Sequence, residues 1–158
     1  MQYQGRAIYL DGDMVLLDDI AQLDQLFSDT TAVQVVKHNY ETKRSTKYFG
    51  AKNENYPRKN WSSVILWNCA HAKNQLLNPK YVEQNNGNHL HRFGWLDDHD
   101  IGELPVEWNW LPDELGENRR AKLLHYTLGT PCFEEFGSGP QADAWHQEWT
   151  LTKHFDNS

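Results

Sequence analysis

Ala7-Ile8-Tyr9-Leu10-Asp11-Gly12-Asp13-Met14 is the stretch on which the fold turns. An apolar run stops abruptly at two carboxylates that flank a glycine. Two aspartates at i and i+2, just past the end of a strand, can converge on one divalent cation. Oxygen donors of this kind suit Mg²⁺ or Mn²⁺, ions that also hold phosphate oxygens. The plainer alternative is a tight turn with Gly12 at positive φ. An EF-hand is excluded, because no second Asp-Gly pair and closing Glu follow at the required positions.

Outward from this stretch, strands and helices alternate. Residues 7–10 and 14–17 are expected to be buried strands, as are 32–36, 62–67 and 121–127. A helix should begin at Asp18 or Asp19 as N-cap, with Ile20, Leu23 and Phe27 on one face. Asn78 and Pro79 open a second helix, closed by Gly87. Residues 142–153 suggest a third, with Trp145 and Trp149 on one side. Residues 95–110 read as loop with aromatic anchors. The alternation favours an α/β sandwich. The near-continuous apolar runs at 7–10, 32–36, 62–67 and 121–127 predict one mixed or mainly parallel sheet.

Length and composition bound the function. The 158 residues form a single domain, 1–158. Aromatic content of 13%, with seven Trp, argues against disorder despite a mean hydropathy of −0.81. The net charge of −7 argues against a nucleic-acid partner. The charge is uneven: Lys37 to Lys59 carries seven of the fifteen Lys and Arg and only two acids. Residues 37–60 show no apolar period and read as a long basic loop, either a solvated face or a rim attracting an anion. No stretch is long and apolar enough to be a transmembrane span, and no signal peptide opens the chain. Two cysteines, Cys69 and Cys132, make no disulfide framework. The chain is therefore expected to be cytoplasmic. A zinc site pairing Cys69 and His71 with His89 and His91 is disfavoured by the one-residue spacings.

The string Arg6 to Leu23 resembles the Asp-X-Asp segment of nucleotide-sugar glycosyltransferases, above all those of glycosyltransferase family 8. Val64-Ile65-Leu66-Trp67-Asn68 is similar to the family's buried strand ending in Asn. Asp98-His99-Asp100-Ile101 resembles its donor-sugar element, and His125-Tyr126-Thr127-Leu128-Gly129 its C-terminal His-Tyr segment. The resemblance spans about 7–129. It implies a GT-A-like α/β fold, a mixed sheet with flanking helices. It also implies Mn²⁺ or Mg²⁺ held by Asp11, Asp13 and His125. The reaction implied is transfer of a hexose, with retention, from a UDP-sugar or similar donor to a carbohydrate or glycan acceptor. Asp98 and Asp100 are the catalytic candidates; Asn60, Ser62, Ser63 and Gly129 are the candidates for substrate contact.

Two departures matter. The family's diphosphate-gripping lysine, which follows the His-Tyr-X-Gly, is absent from Thr130-Pro131-Cys132. Only ten residues precede Asp11, where the family places its nucleoside-binding strands and helices. The resemblance thus implies an N-terminally truncated, C-terminal portion of such an enzyme, with a possible N-terminal partner chain. The isolated chain is expected to transfer sugar poorly or not at all. The alternative is a non-catalytic remnant or interaction module, or one piece of a split enzyme.

Overall fold

The computed structural model describes residues 3–155. Six strands alternate with short helices. They are β1 (Arg6–Leu10), β2 (Met14–Leu16), β3 (Val33–Val35), β4 (Val64–Asn68), β5 (Ile101–Glu103) and β6 (Leu123–His125). The helices are α1 (Ile20–Asp24), α2 (Pro79–Gln84), α3 (Gly87–His91), α4 (Pro112–Leu115) and α5 (Ala142–Phe155), with single 3₁₀ turns between them.

A four-stranded mixed sheet in the order β1-β4-β3-β5 forms the centre. β4 runs antiparallel to both neighbours, and β3 pairs parallel with β5. β4 is apolar without alternation because both faces are covered. Val64 and Leu66 join Leu23, Val36, Leu104, Trp108 and Leu123 on one side. On the other side Ile65 packs with Val33, Val35, Phe93, Leu96 and Ile101. α1 packs through fully buried Leu23, with Ile20 and Phe27 beside it, and Asp19 caps it by accepting from the Ala21 N–H at 2.9 Å.

Several expectations need correction. Residues 121–127 do supply a strand, but β6 pairs with β2 in a separate two-stranded sheet, in register Met14↔His125. Its apolar run is continuous because Leu123 enters one core and Leu124 another, with Val15, Tyr126 and Trp145. β1 is not buried. It is an edge strand whose Ile8 and Tyr9, on opposite faces, are both exposed. The stretch 95–110 is more than loop, since it contains β5. The helix expected over 78–87 breaks at Asn85 into α2 and α3, each with its own Asn cap, Asn78 and Asn86. Neither buries a residue in the core. Gly12 is absent from the residues with positive φ, and a side chain there would meet open space. A conformational demand for glycine therefore does not explain Asp-Gly-Asp.

Candidate metal and anion site

The turn Asp11-Gly12-Asp13 lies where the two sheets meet. Asp11 N–H donates to the Ser63 carbonyl at 3.0 Å, which ties the turn to the entrance of β4. Tyr126 N–H donates to the Asp13 carbonyl at 3.0 Å, which ties it to the end of β6. The β2–β6 register then sets His125 opposite Met14, next to Asp13. Backbone pairing alone thus carries a histidine more than a hundred residues away to the two aspartates.

The three side chains converge on a cavity of about 300 Å³. His125 Nε2 stands 3.2 Å from Asp13 Oδ1 and 3.9 Å from Asp11 Oδ2. One donor atom from each residue lies within 4.8 Å of the others. Two donors bonded at right angles to one cation, at about 2.0–2.6 Å each, sit about 2.8–3.7 Å apart, so the spacing suits a shared ion.

The hydrogen-bond chain behind His125 fixes its chemistry. Fully buried Asn109 donates its Nδ2 to the Asn60 carbonyl at 3.2 Å, which aims its Oδ1 at His125 Nδ1, 3.0 Å away. Nδ1 must then carry a proton, which leaves Nε2 to face Asp13 in one of two states: free to ligate a cation, or protonated and donating to the carboxylate. Asp13 Oδ1 is buried, and among the described residues only His125 stands where it could donate to it. Two buried lone-pair atoms 3.2 Å apart repel unless a proton or a metal ion lies between them. Burial pushes the Asp13 carboxyl up, but the bond and charge of His125, its own backbone and the Lys47 ammonium together hold it below the usual range. Asp13 is therefore an anion at neutral pH. With two carboxylates and one imidazole, the donor set fits a hard divalent cation. Tyr9 steadies Asp11, donating its hydroxyl to Oδ1 at 2.8 Å. That bond, burial and the nearby carboxylates push the phenol up.

Asn60, Ser62 and Ser63 line the same cavity, as their position before β4 suggested. Asn60 has φ 59° and bonds Tyr40 Oη at 2.7 Å; Ser62 Oγ pairs with His91 Nδ1 at 3.2 Å.

Asp98, Asp100 and Gly129 are elsewhere. Asp98 is 88% exposed and ion-paired with Arg58 at 2.6 Å. Asp100 is buried, bonded to Lys73 Nζ at 2.5 Å and to the Asp97 N–H at 2.9 Å. Burial raises its carboxyl, but these partners outweigh that and hold it low. It closes the capping box of a 3₁₀ turn leading into β5, its carboxylate accepting from the backbone of the N-cap, Asp97. Asp97, His99 and Asp100 form a second carboxylate-imidazole cluster, but Lys73 already bridges its two carboxylates. Gly129 is buried against Phe136, whose ring would lie 2.4 Å from an added Cβ. Neither Cys69 nor His71 joins His89 and His91 in a metal-sized cluster among the described residues.

Lys47, Tyr56, Asn88, His91 and Arg92 also line the cavity, and sequence reasoning did not place them there. Lys47 lay inside a basic run with no geometry attached. Arg92 and His91 lay at the end of a helix expected to stop sooner. Asn109 offered one signal, a polar residue between two tryptophans.

No protein-family profile matches the chain. Protein CDI of Arabidopsis thaliana is 43% identical over 154 aligned residues, covering 92% of this chain and 58% of that protein. Among solved structures, the galactosyltransferase LgtC in complex with donor and acceptor sugar analogues superposes with a TM-score of 0.53 at 14% identity, covering 96% of this chain and 61% of LgtC. An active-site mutant of LgtC gives 0.50 at 12% identity, with 93% and 61% covered. The fold is of the GT-A type. The chain spans about three-fifths of the length of the proteins it matches. No described helix is long and apolar enough to cross a membrane.

Proposed function

We propose that this chain carries the metal-and-diphosphate centre of a nucleotide-sugar-dependent glycosyltransferase. The observation that carries this is the convergence of Asp11, Asp13 and His125 on one polar cavity, with Asp13 Oδ1 buried beside His125 Nε2. The resemblance to family 8 supports a UDP-sugar donor, a hexose, retention of configuration and a carbohydrate acceptor. Asp11, Asp13 and His125 would hold Mn²⁺ or Mg²⁺, which when bound neutralises the charge of a leaving diphosphate. The chain's own residues supply the rest. Asn109 keeps His125 Nε2 aimed into the cavity, and Tyr9 orients Asp11. Asn60, Ser62 and Ser63 offer hydrogen-bonding groups to a polar ligand in the cavity. Asp98 and Asp100 are engaged by Arg58 and Lys73, so we assign them to structure rather than to the reacting atoms.

A cavity of about 300 Å³ is at the small end for a ligand site, suited to a diphosphate rather than to a whole nucleotide sugar. Metal binding and turnover are accordingly expected to separate in the 158-residue chain. Titration calorimetry with Mn²⁺, then with UDP- and GDP-sugars with and without Mn²⁺, tests this alongside an assay for released UDP. Mn²⁺ binding that Asp13→Ala abolishes is the expected result. A chain that binds neither metal nor nucleotide sugar would favour a non-catalytic interaction module.

A further inference from the structure

The cavity lining has two chemical poles, groups of opposite kind: Asp11, Asp13 and His125 offer donors to a cation, and Lys47 and Arg92 offer positive charge. Nearly all the bases of the 37–60 segment have partners that explain them. Arg44, Lys52 and Arg58 pair with Glu135, Glu54 and Asp98. Lys59 turns inward to Asn53 Oδ1 and the Glu54 carbonyl, and Lys37 lies over the Trp61 ring. Among these bases Lys47 is the one that lines the cavity, and it forms no salt bridge with any described residue.

Lys47 is held there by its backbone. Its N–H donates to the Ala51 carbonyl at 2.7 Å, and Thr46 and Lys52 bridge the base of the same turn. The next residue, Tyr48, donates its N–H to the Leu128 carbonyl at 2.8 Å and stacks on Phe133 with ring centroids 5.5 Å apart. Phe49 contacts the edge of the same ring at 5.3 Å. The tip of the basic loop is therefore docked on residues 128–133, the segment in which the family's lysine was missing. Arg92 reaches the cavity from the end of α3, with its guanidinium 4.9 Å over the Tyr56 ring. Its Nε is buried without a hydrogen-bond acceptor.

Resting on the proposed metal centre, we propose that Lys47 and Arg92 form an anion-receiving wall for the donor diphosphate. In this arrangement the loop tip delivers from 37–60 the cation that residues 130–132 lack. Lys47 provides a compact point charge, and Arg92 provides planar donors already oriented by Tyr56. A ligand that carries a cation on one side and phosphate oxygens on the other satisfies both poles at once. It would give Asp13 Oδ1 a cation and Arg92 Nε an acceptor.

Inorganic pyrophosphate is the probe, titrated into the 158-residue chain with and without Mn²⁺ and followed by calorimetry. Lys47→Met and Arg92→Met should each weaken pyrophosphate binding about tenfold or more, while Mn²⁺ alone binds at least as tightly as in wild type, since the Lys47 charge acting on Asp13 disfavours a cation. Lys47→Arg should retain most of the binding. Lys43→Met, in the same segment but away from the cavity, should behave as wild type. Circular dichroism melts confirm that each variant is folded. Unchanged pyrophosphate affinity in both Met variants would overturn the anion wall and leave the metal centre standing, as would Mn²⁺ binding without any pyrophosphate binding. A wild-type chain that binds neither would overturn both.

Discussion

Replacing Asn109 with leucine tests whether the hydrogen bond behind His125 makes the site a metal site. Asn109 has no exposed surface, so a leucine, with the same number of side-chain heavy atoms and the same branching, occupies the site without touching solvent. Two bonds go: the 3.0 Å contact to His125 Nδ1 and the 3.2 Å donation to the Asn60 carbonyl. Losing the first frees the imidazole to rotate and to protonate at Nε2, facing Asp13, which competes with a metal for that lone pair. Removing such a partner behind a ligating histidine costs about 10- to 100-fold in metal affinity, or about 1.4–2.7 kcal/mol. Losing the second leaves a carbonyl short of a donor and costs about 1–3 kcal/mol of stability. Asn109→Asp separates the two effects, since its carboxylate still accepts from Nδ1–H while the donation to Asn60 is lost. Mn²⁺ binding, followed by the paramagnetic resonance signal of the free ion, should weaken in Asn109→Leu and persist in Asn109→Asp. Both variants should melt earlier than wild type. A folded Asn109→Leu protein that binds Mn²⁺ as tightly as wild type would refute the orienting role, and with it the assignment of His125 as a ligand.

Acid should unfold the protein partly through His38. Burial, aided by the charge of His125, lowers its pKa from 6.5 to about 4, against a smaller opposing effect of the Asn109 backbone. The unfolded chain thus takes up a proton below about pH 6.5 that the folded chain refuses until about pH 4. This contribution is complete above that window and is lost as pH falls through it, by up to about 3 kcal/mol. Urea melts at pH 7 and 4.5 should show a shallower loss in His38→Phe than in wild type; equal losses would remove His38 from the account. Glu114 is a buried clamp on the basic loop, accepting from the Lys43 N–H at 2.9 Å and from Asn53 Nδ2 at 3.4 Å. Glu114→Ala should cost about 1–3 kcal/mol and speed amide exchange across 43–53 while β4 stays protected. Asp98→Asn removes an exposed carboxylate from Arg58, whose guanidinium keeps its bonds to the Arg92 and Phe93 carbonyls, so melts should move by less than about 1 kcal/mol and Mn²⁺ affinity should not change. A large loss of metal binding in that variant would return Asp98 to the site.

What could be read from the sequence was what short-range pattern encodes. β3 and β4 announce themselves because both faces of the central sheet are covered, and α1 announces its cap and its face. Asp11 and Asp13 are legible because i and i+2 neighbours converge on their own. Strand β5 is only three residues long and buries Ile101 alone, so no apolar run betrays it. β6 carries the right pattern, but a continuous apolar run cannot distinguish a strand covered by one layer on each face from a ribbon that feeds two separate cores. Pairing with β2 decides that, and it is a contact across more than a hundred residues.

The residues that support the site escaped the sequence for a related reason. Apolar periodicity locates cores, whereas this cavity is supported by buried polar residues. Glu114, Asn53 and Lys59 form one hydrogen-bonded chain that clamps the basic loop. Tyr40, Asn60, Asn109 and His125 form a second that ends at the carboxylates. Each member is unfavourable to bury alone and acceptable only with its partners in place, so no single position signals its role. Such chains restrict the protein to the one arrangement that satisfies them all, which a purely apolar packing would not demand. They also explain how a chain with a mean hydropathy of −0.81 keeps an ordered interior: part of that interior is a polar framework, and it converges on Asp11, Asp13 and His125.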